Sequence, residues 1–335
     1  MAAPAVMSHQ AAAHHAAERR SSPRASIDFE SDNELDLQLS NFPMPTRGRL
    51  ASMSSGEASD KLPRAREIEV PTHPIPSMQA AFAESMLDAF EGNTAEKEEY
   101  GDSASRRKLL LEQEKGEETH AGRWKQKPGQ RYHELWKLMS QLSFGIYLLL
   151  NGMARDNDQA LNILQGHVDE VDAFLESTLE DFGLAQEDID DRLKNLKLPL
   201  ENIHIFDGML EDRNFRNQIV AGNETIEHII ERTAKMMNDA LRNVQHGMEA
   251  TKEFANYMAD MEDKDDWKDQ RPDMLKVFLA MKGNADGWCK AYVLLQTKGN
   301  QLGTSLVQLG TITAEIDRRA AEISRKTRVS VLGSD

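Results

Sequence analysis

The sequence predicts an all-α protein: an elongated antiparallel helical bundle with coiled-coil-type packing, preceded by a long disordered N-terminal tail. Three observations predict it. From Met274 to Ile323, apolar residues recur at alternating steps of four and three (Met274, Phe278, Met281, Ala285, Trp288, Tyr292, Leu295, then on to Ile316, Ala320 and Ile323). That spacing averages about 3.5 residues, the repeat that holds one apolar seam against neighbouring helices. Hydrophobic residues make up 39 % and aromatics 6 % of the chain, low for a compact sheet protein and usual for helical rods with charged faces. Residues 1–128 are dominated by Ser, Pro, Ala, Arg and Glu without sustained periodicity, the composition of a disordered segment.

Charge and cysteine content narrow the function classes. The formal charge is −16, which argues against a nucleic-acid binder, since such a protein presents a basic face. Residues 1–128 hold 16 Lys and Arg against 21 Asp and Glu, leaving 24 against 35 from residue 129 onward, a formal −11. A surface of that sign also disfavours contact with anionic lipid. A single cysteine, Cys289, allows no internal disulfide and fits a reducing compartment. No stretch reaches the ~20 apolar residues that span a bilayer, and the N-terminus lacks a signal-peptide apolar run. A cytoplasmic location is therefore expected.

Within the tail, Arg19-Arg20-Ser21-Ser22-Pro23 and Arg47-Gly-Arg49-Leu-Ala-Ser52 place serines beside guanidinium groups. Ser22 and Ser52 are the expected phosphorylation sites, each able to add about −1.5 to −2 charges. Between them, residues 27–42 interleave acidic with large apolar side chains, as linear docking motifs do. A short amphipathic helix is expected at about 78–90, with Met78, Phe82, Met86 and Phe90 as candidate partner-docking residues. Thirteen residues are marginal as an isolated helix, so this one folds on a partner or packs back onto the bundle. Packing back is favoured by its high local concentration. Residues 96–120 read as a charge-rich linker, partly helical around 106–114.

The bundle is expected over about 129–330. A first helix, about Tyr132 to Met153, is apolar nearly all round in its second half and belongs in the middle of the bundle. Asp156-Asn-Asp-Gln159 reads as a capping box opening a second helix that Gly183 ends. Pro199 falls inside the next apolar pattern and should kink or break it. Gly222-Asn223 supplies a stop and an N-cap ahead of a fourth helix, about Glu224 to Met261. A charged loop follows, and Pro272 opens a spine helix of about 272–326. Gly283 and Gly299 lie inside that spine, yet the seam keeps its phase across both, which favours one continuous helix.

No catalytic constellation emerges. There is no P-loop, dinucleotide fingerprint, His-Glu-x-x-His or paired cysteine. Glu201-Asn-Ile-His204 has the spacing of one half of a di-iron site, but no second copy exists, and Glu224, His228 and Glu231 read as a solvated face. No cofactor or metal is expected. Arg318, Arg319, Arg325, Lys326 and Arg328 cluster near the end of the spine, where cations complement the helix dipole; they are also a candidate basic contact. These features point to a non-enzymatic scaffold or adaptor that binds other proteins and pairs with itself through its helical surface. In layout alone, about 200 residues of long kinked heptad helices, the chain resembles the BAR-type membrane-curvature bundles. That resemblance implies a basic membrane-facing stripe, at odds with the −11 of the folded part.

Overall fold

The computed structural model describes residues 70–91, 101–114, 124, 126, 129–264 and 266–332. Among them there are helices and connecting turns, and no strand. Eight α-helices occur in order: α1 (Gln79–Glu91), α2 (Ser103–Glu112), α3 (Glu134–Leu150), α4 (Asn157–Glu201), α5 (Ile203–Met209), α6 (Arg213–Glu262), α7 (Asp266–Gln270) and α8 (Leu275–Leu332). Ser22, Ser52 and the 27–42 segment lie outside the described residues.

Three long rods carry the fold. The spine α8 has 58 residues, about 87 Å at ~1.5 Å per residue. Every seam position from Met274 to Ala320 is buried, and Gly283 and Gly299 leave the helix unbroken, as the seam's constant phase requires. Against α8, α6 runs antiparallel: Leu241 meets Gly299, Met237 meets Gly303, and Asn223 reaches Asp317. The rod α4 runs parallel to α8, since Trp288 bonds Asp172 and Ser305 bonds Gln186.

A fourth wall is assembled from pieces. At one end α3 packs between α4 and α6. Further along, α2 lies over the same pair of rods. At the far end α5 closes against α8, and Phe206 and Leu210 join Ile316 and Ala320 in a small separate core. Outside α3 sits α1, with its preceding turn.

Several expected boundaries are corrected. Gly183 does not end a helix; α4 passes through it to Glu201. The apolar run Thr178, Phe182, Ala185, Ile189 stays buried on both sides, and that burial outweighs the roughly 1 kcal/mol penalty of one helical glycine. The break expected at Pro199 comes two residues later: α4 carries the proline in its last turn and ends at Glu201, and residues 200–220 are not one piece but the end of α4, the short α5 and the start of α6. Gly222-Asn223 is neither stop nor cap. Asn223 is buried, and its Nδ2 donates to Asp317 Oδ1 at 2.6 Å instead of capping. The cap of α6 is Asp212, whose Oδ1 accepts from the Asn214 and Phe215 amides.

The other signals fall where the chain places them. Asp156 Oδ1 accepts from the Asp158 and Gln159 amides at the start of α4. Gly152 (φ 63°) takes the left-handed position just past α3 that glycine tolerates best. In the turn between α6 and α8, α7 lets Trp267 insert against Phe278, ring centres 4.9 Å apart, with its indole N–H on the Met261 carbonyl.

Candidate interaction surfaces

The first candidate residues are split by the structure. Met78 and Phe82 are buried, packed back onto α3 rather than offered outward. Phe82 lies 4.5 Å from Phe144 and 5.3 Å from His73, ring centre to ring centre. Met86 is half-buried, and Phe90 stands 63 % exposed at the end of α1.

Two neutral histidines tie this region together. His73 accepts the Ile75 amide on Nδ1 and donates from Nε2 to the Ser140 carbonyl at 2.9 Å; burial holds its pKa below the ordinary imidazole value. His133 accepts the Leu135 amide on Nδ1, donates from Nε2 to Asn243 Oδ1, and stacks 4.8 Å from His246. Burial is the main cause that brings its pKa down to about 4; the Asn243 bond opposes it, and His246 adds to it.

Charged side chains fasten the N-terminal helices to the rods. Lys137, on α3, is buried, with its ammonium 2.6 Å from Asp88, 3.1 Å from Glu84 and 3.2 Å from Glu134. Burial pushes its pKa down, but the bonds to Asp88, Glu84 and Glu134 outweigh it and the net shift is upward. Arg107 of α2 reaches Asp188 on α4 at 2.6 Å and the Thr233 hydroxyl on α6 at 2.8 Å. Arg232 of α6, almost wholly buried, donates back to Gln113 and to the Leu110 carbonyl. Apart from Lys137–Glu134, three residues apart on one helix, none of these pairings stands out in the sequence, because the partners are separated by tens of residues. Arg107 and the acidic residues of α1 read there as ordinary linker and surface charges.

The basic cluster is largely engaged along its own helix. Arg318 pairs with Glu315 and Glu322; Arg319 pairs with Glu315 and with Asp207 of α5; Lys326 pairs with Glu322. The Arg318 hydrogen bond brings the Glu315 pKa down to about 2. Arg325 and Arg328 are exposed. Glu201 and His204 are exposed as well, and among the described residues no three His, Cys, Asp or Glu side chains converge as a metal site requires. Cys289 is half-buried, and its pKa is raised by desolvation and by Asp286, which keeps the thiol protonated and poorly nucleophilic.

A different surface emerges on α8. From Val293 to Ala314 its exposed positions are Val293, Leu294, Val307 and Ala314 together with Thr297, Asn300, Gln301, Thr304, Gln308 and Thr311. None is charged, and Lys298, the one ionic residue of the span, is half-buried. The chain as a whole is 29 % charged, and the neighbouring rods follow suit. On α4 the exposed residues include Glu176, Glu180, Glu187, Asp190 and Asp191, and on α6 Glu224, Glu227, Glu231 and Glu249. Val307 is 71 % exposed. A signal for this strip exists in the sequence, since residues 299–314 contain no Asp, Glu, Lys or Arg, but a search for apolar periodicity reads only the opposite, buried edge.

A second apolar patch lies at the corner joining α4, α5 and α6, where Leu198, Ile203, Ile205, Met209 and Val220 are exposed. Among the described residues no helix is long and apolar enough to cross a membrane. Comparison with known proteins finds no family model, no curated protein and no solved structure that the chain matches.

Proposed function

We propose that this chain is a non-enzymatic cytoplasmic scaffold, which acts by docking helices of other proteins, and of its own copies, on the bundle surface. The observation that carries the reading is the uncharged exposed strip of α8 from Val293 to Ala314. Solvent-exposed helix faces in so charged a chain carry ionic side chains; a face that lacks them is suited to lose its water to a partner. The tail bearing Ser22 and Ser52 adds phosphate-controlled docking sites in this reading, with Phe90 and Arg325 as secondary contact points. The test is an affinity capture with the full chain and with a Leu294→Glu/Val307→Glu variant. Both positions are exposed, so the variant folds as the parent does. Bound partners should fall at least tenfold; unchanged capture removes the strip from the argument.

A membrane reading of the BAR type would rest on the apolar corner at Leu198, Ile205 and Met209. That corner also exposes Glu201, Glu211 and Asp212 against Lys197 and Arg213, a poor match to anionic lipid. Co-sedimentation with anionic liposomes decides it: salt-sensitive binding favours the membrane, and no binding favours the scaffold.

A further inference from the structure

We infer that the α8 strip is the interface of a two-fold symmetric dimer in which two α8 helices pack antiparallel, with the axis passing between Asn300 and Gln301. This deepens the docking reading and rests on it. Two observations select a second copy as the occupant. The first is charge. Two molecules of a chain at −16 repel wherever their acidic rods α4 and α6 meet, and like charges buried together are costly. Between Val293 and Gln308 the strip lets copies meet with no exposed ionic group at the centre of the contact.

The second is the arrangement of exposed positions along the helix. Reflected about the midpoint between Asn300 and Gln301, the exposed positions from Val293 to Gln308 map onto themselves: Val293 onto Gln308, Leu294 onto Val307, Thr297 onto Thr304, and Asn300 onto Gln301. A two-fold interface is self-complementary by definition, so this is the order it needs. Leu294 meets the partner's Val307, and Val307 meets the partner's Leu294, on either side of the axis. At the centre, Asn300 and Gln301 can exchange side-chain amide hydrogen bonds, and Thr297 lies level with the partner's Thr304. Further out, Lys290 comes level with the partner's Thr311 and Gly287 with the partner's Ala314. The first like charges to come level are Asp286 and the partner's Glu315, and Glu315 is already paired with Arg318 and Arg319.

This geometry also fixes the flanks. An axis perpendicular to two facing antiparallel helices sets each α4 beside the partner's α4, acidic against acidic. Salt screens that repulsion while leaving an uncharged contact intact, so the dimer should tighten as ionic strength rises. A contact made by ion pairs would loosen.

The test uses the full chain. Sedimentation should show a reversible dimer strengthened by salt, and Leu294→Glu/Val307→Glu should be monomeric with unchanged helical circular dichroism. Geometry is then read by cysteine cross-linking in a Cys289→Ser background. Asn300→Cys should form a disulfide-linked dimer on mild oxidation. Val293→Cys alone should not, because its two copies lie 15 residues out of register, about 22 Å along the helix, beyond disulfide reach. Val293→Cys mixed with Gln308→Cys should cross-link. Self-linking of Val293→Cys alone would mean parallel pairing and overturn the proposal. So would a wild-type chain that stays monomeric at high micromolar concentration, whether because the tail covers the strip or because only other proteins bind it. In that case partner capture still lost in the double-glutamate variant would leave the docking reading standing while the self-pairing falls.

Discussion

Gly247 and Tyr292 share one site between α6 and α8. A Cβ on Gly247 would come within 2.3 Å of the Tyr292 hydroxyl, and the ring is fully buried. The same hydroxyl lies beside Thr251 without a hydrogen bond of acceptable geometry. Gly247→Ala should therefore cost about 2 kcal/mol in urea unfolding, as overpacking does. Tyr292→Phe should be close to neutral, since it removes a buried hydroxyl with no partner. Combined, the second substitution should recover part of the loss from the first, a coupling that a double-mutant cycle measures. His133 gives a pH dependence of definite sign. Its folded pKa is about 4 against an unfolded value near 6.5. Below about 6.5 the unfolded chain takes up a proton that the native ring refuses. Stability is thus complete above that value and falls as pH drops toward 4, by up to about 3 kcal/mol from this group. His133→Gln should flatten that slope when urea midpoints at pH 7 and pH 4.5 are compared.

At the scale of the helix, the glycines of α8 separate by surroundings. Gly299 lies against Leu241, which would be 2.7 Å from an added Cβ, whereas Gly283 and Gly287 have nothing within 4 Å. Gly283→Ala and Gly287→Ala should each stabilise by roughly 0.8–1 kcal/mol, the intrinsic propensity difference, read as a rise in Tm; Gly299→Ala should not. This contrast also shows what was legible in the sequence. The seam from Met274 to Ala320, the cap at Asp156 and the continuity of α8 are local patterns, and each is present in the fold. The stops assigned to Gly183 and Gly222-Asn223 fail because a glycine's local penalty is small beside the burial of its neighbours, and because Asn223 finds Asp317 across the bundle. The fastening of α1 and α2 rests on pairs such as Lys137–Glu84 and Arg107–Asp188, which join residues remote in the chain. No spacing rule reads them. The α8 strip was hidden for another reason: its signal is an absence of charge on the face that periodicity discards.

For the whole molecule, the bundle is uneven along its length. One end stacks α3 on α4 and α6 with α1 outside it, while among the described residues the far end adds only α5 and a small core of Phe206, Leu210, Ile316 and Ala320. Local opening is easiest where fewest apolar groups are buried. Amides of 203–219 and 312–323 should therefore exchange with deuterium well before those of 135–149 and 244–258, and uniform exchange would contradict the description. The thick end has a practical meaning for anyone trimming the gene. Because Met78 and Phe82 plug the outer side of α3, and Glu84 and Asp88 neutralise Lys137 there, a truncation that begins at Gly129 discards the stopper and keeps the bottle. It would bare a greasy surface around an ammonium left with Glu134 alone and invite precipitation, so a shortened version should start upstream of Pro71.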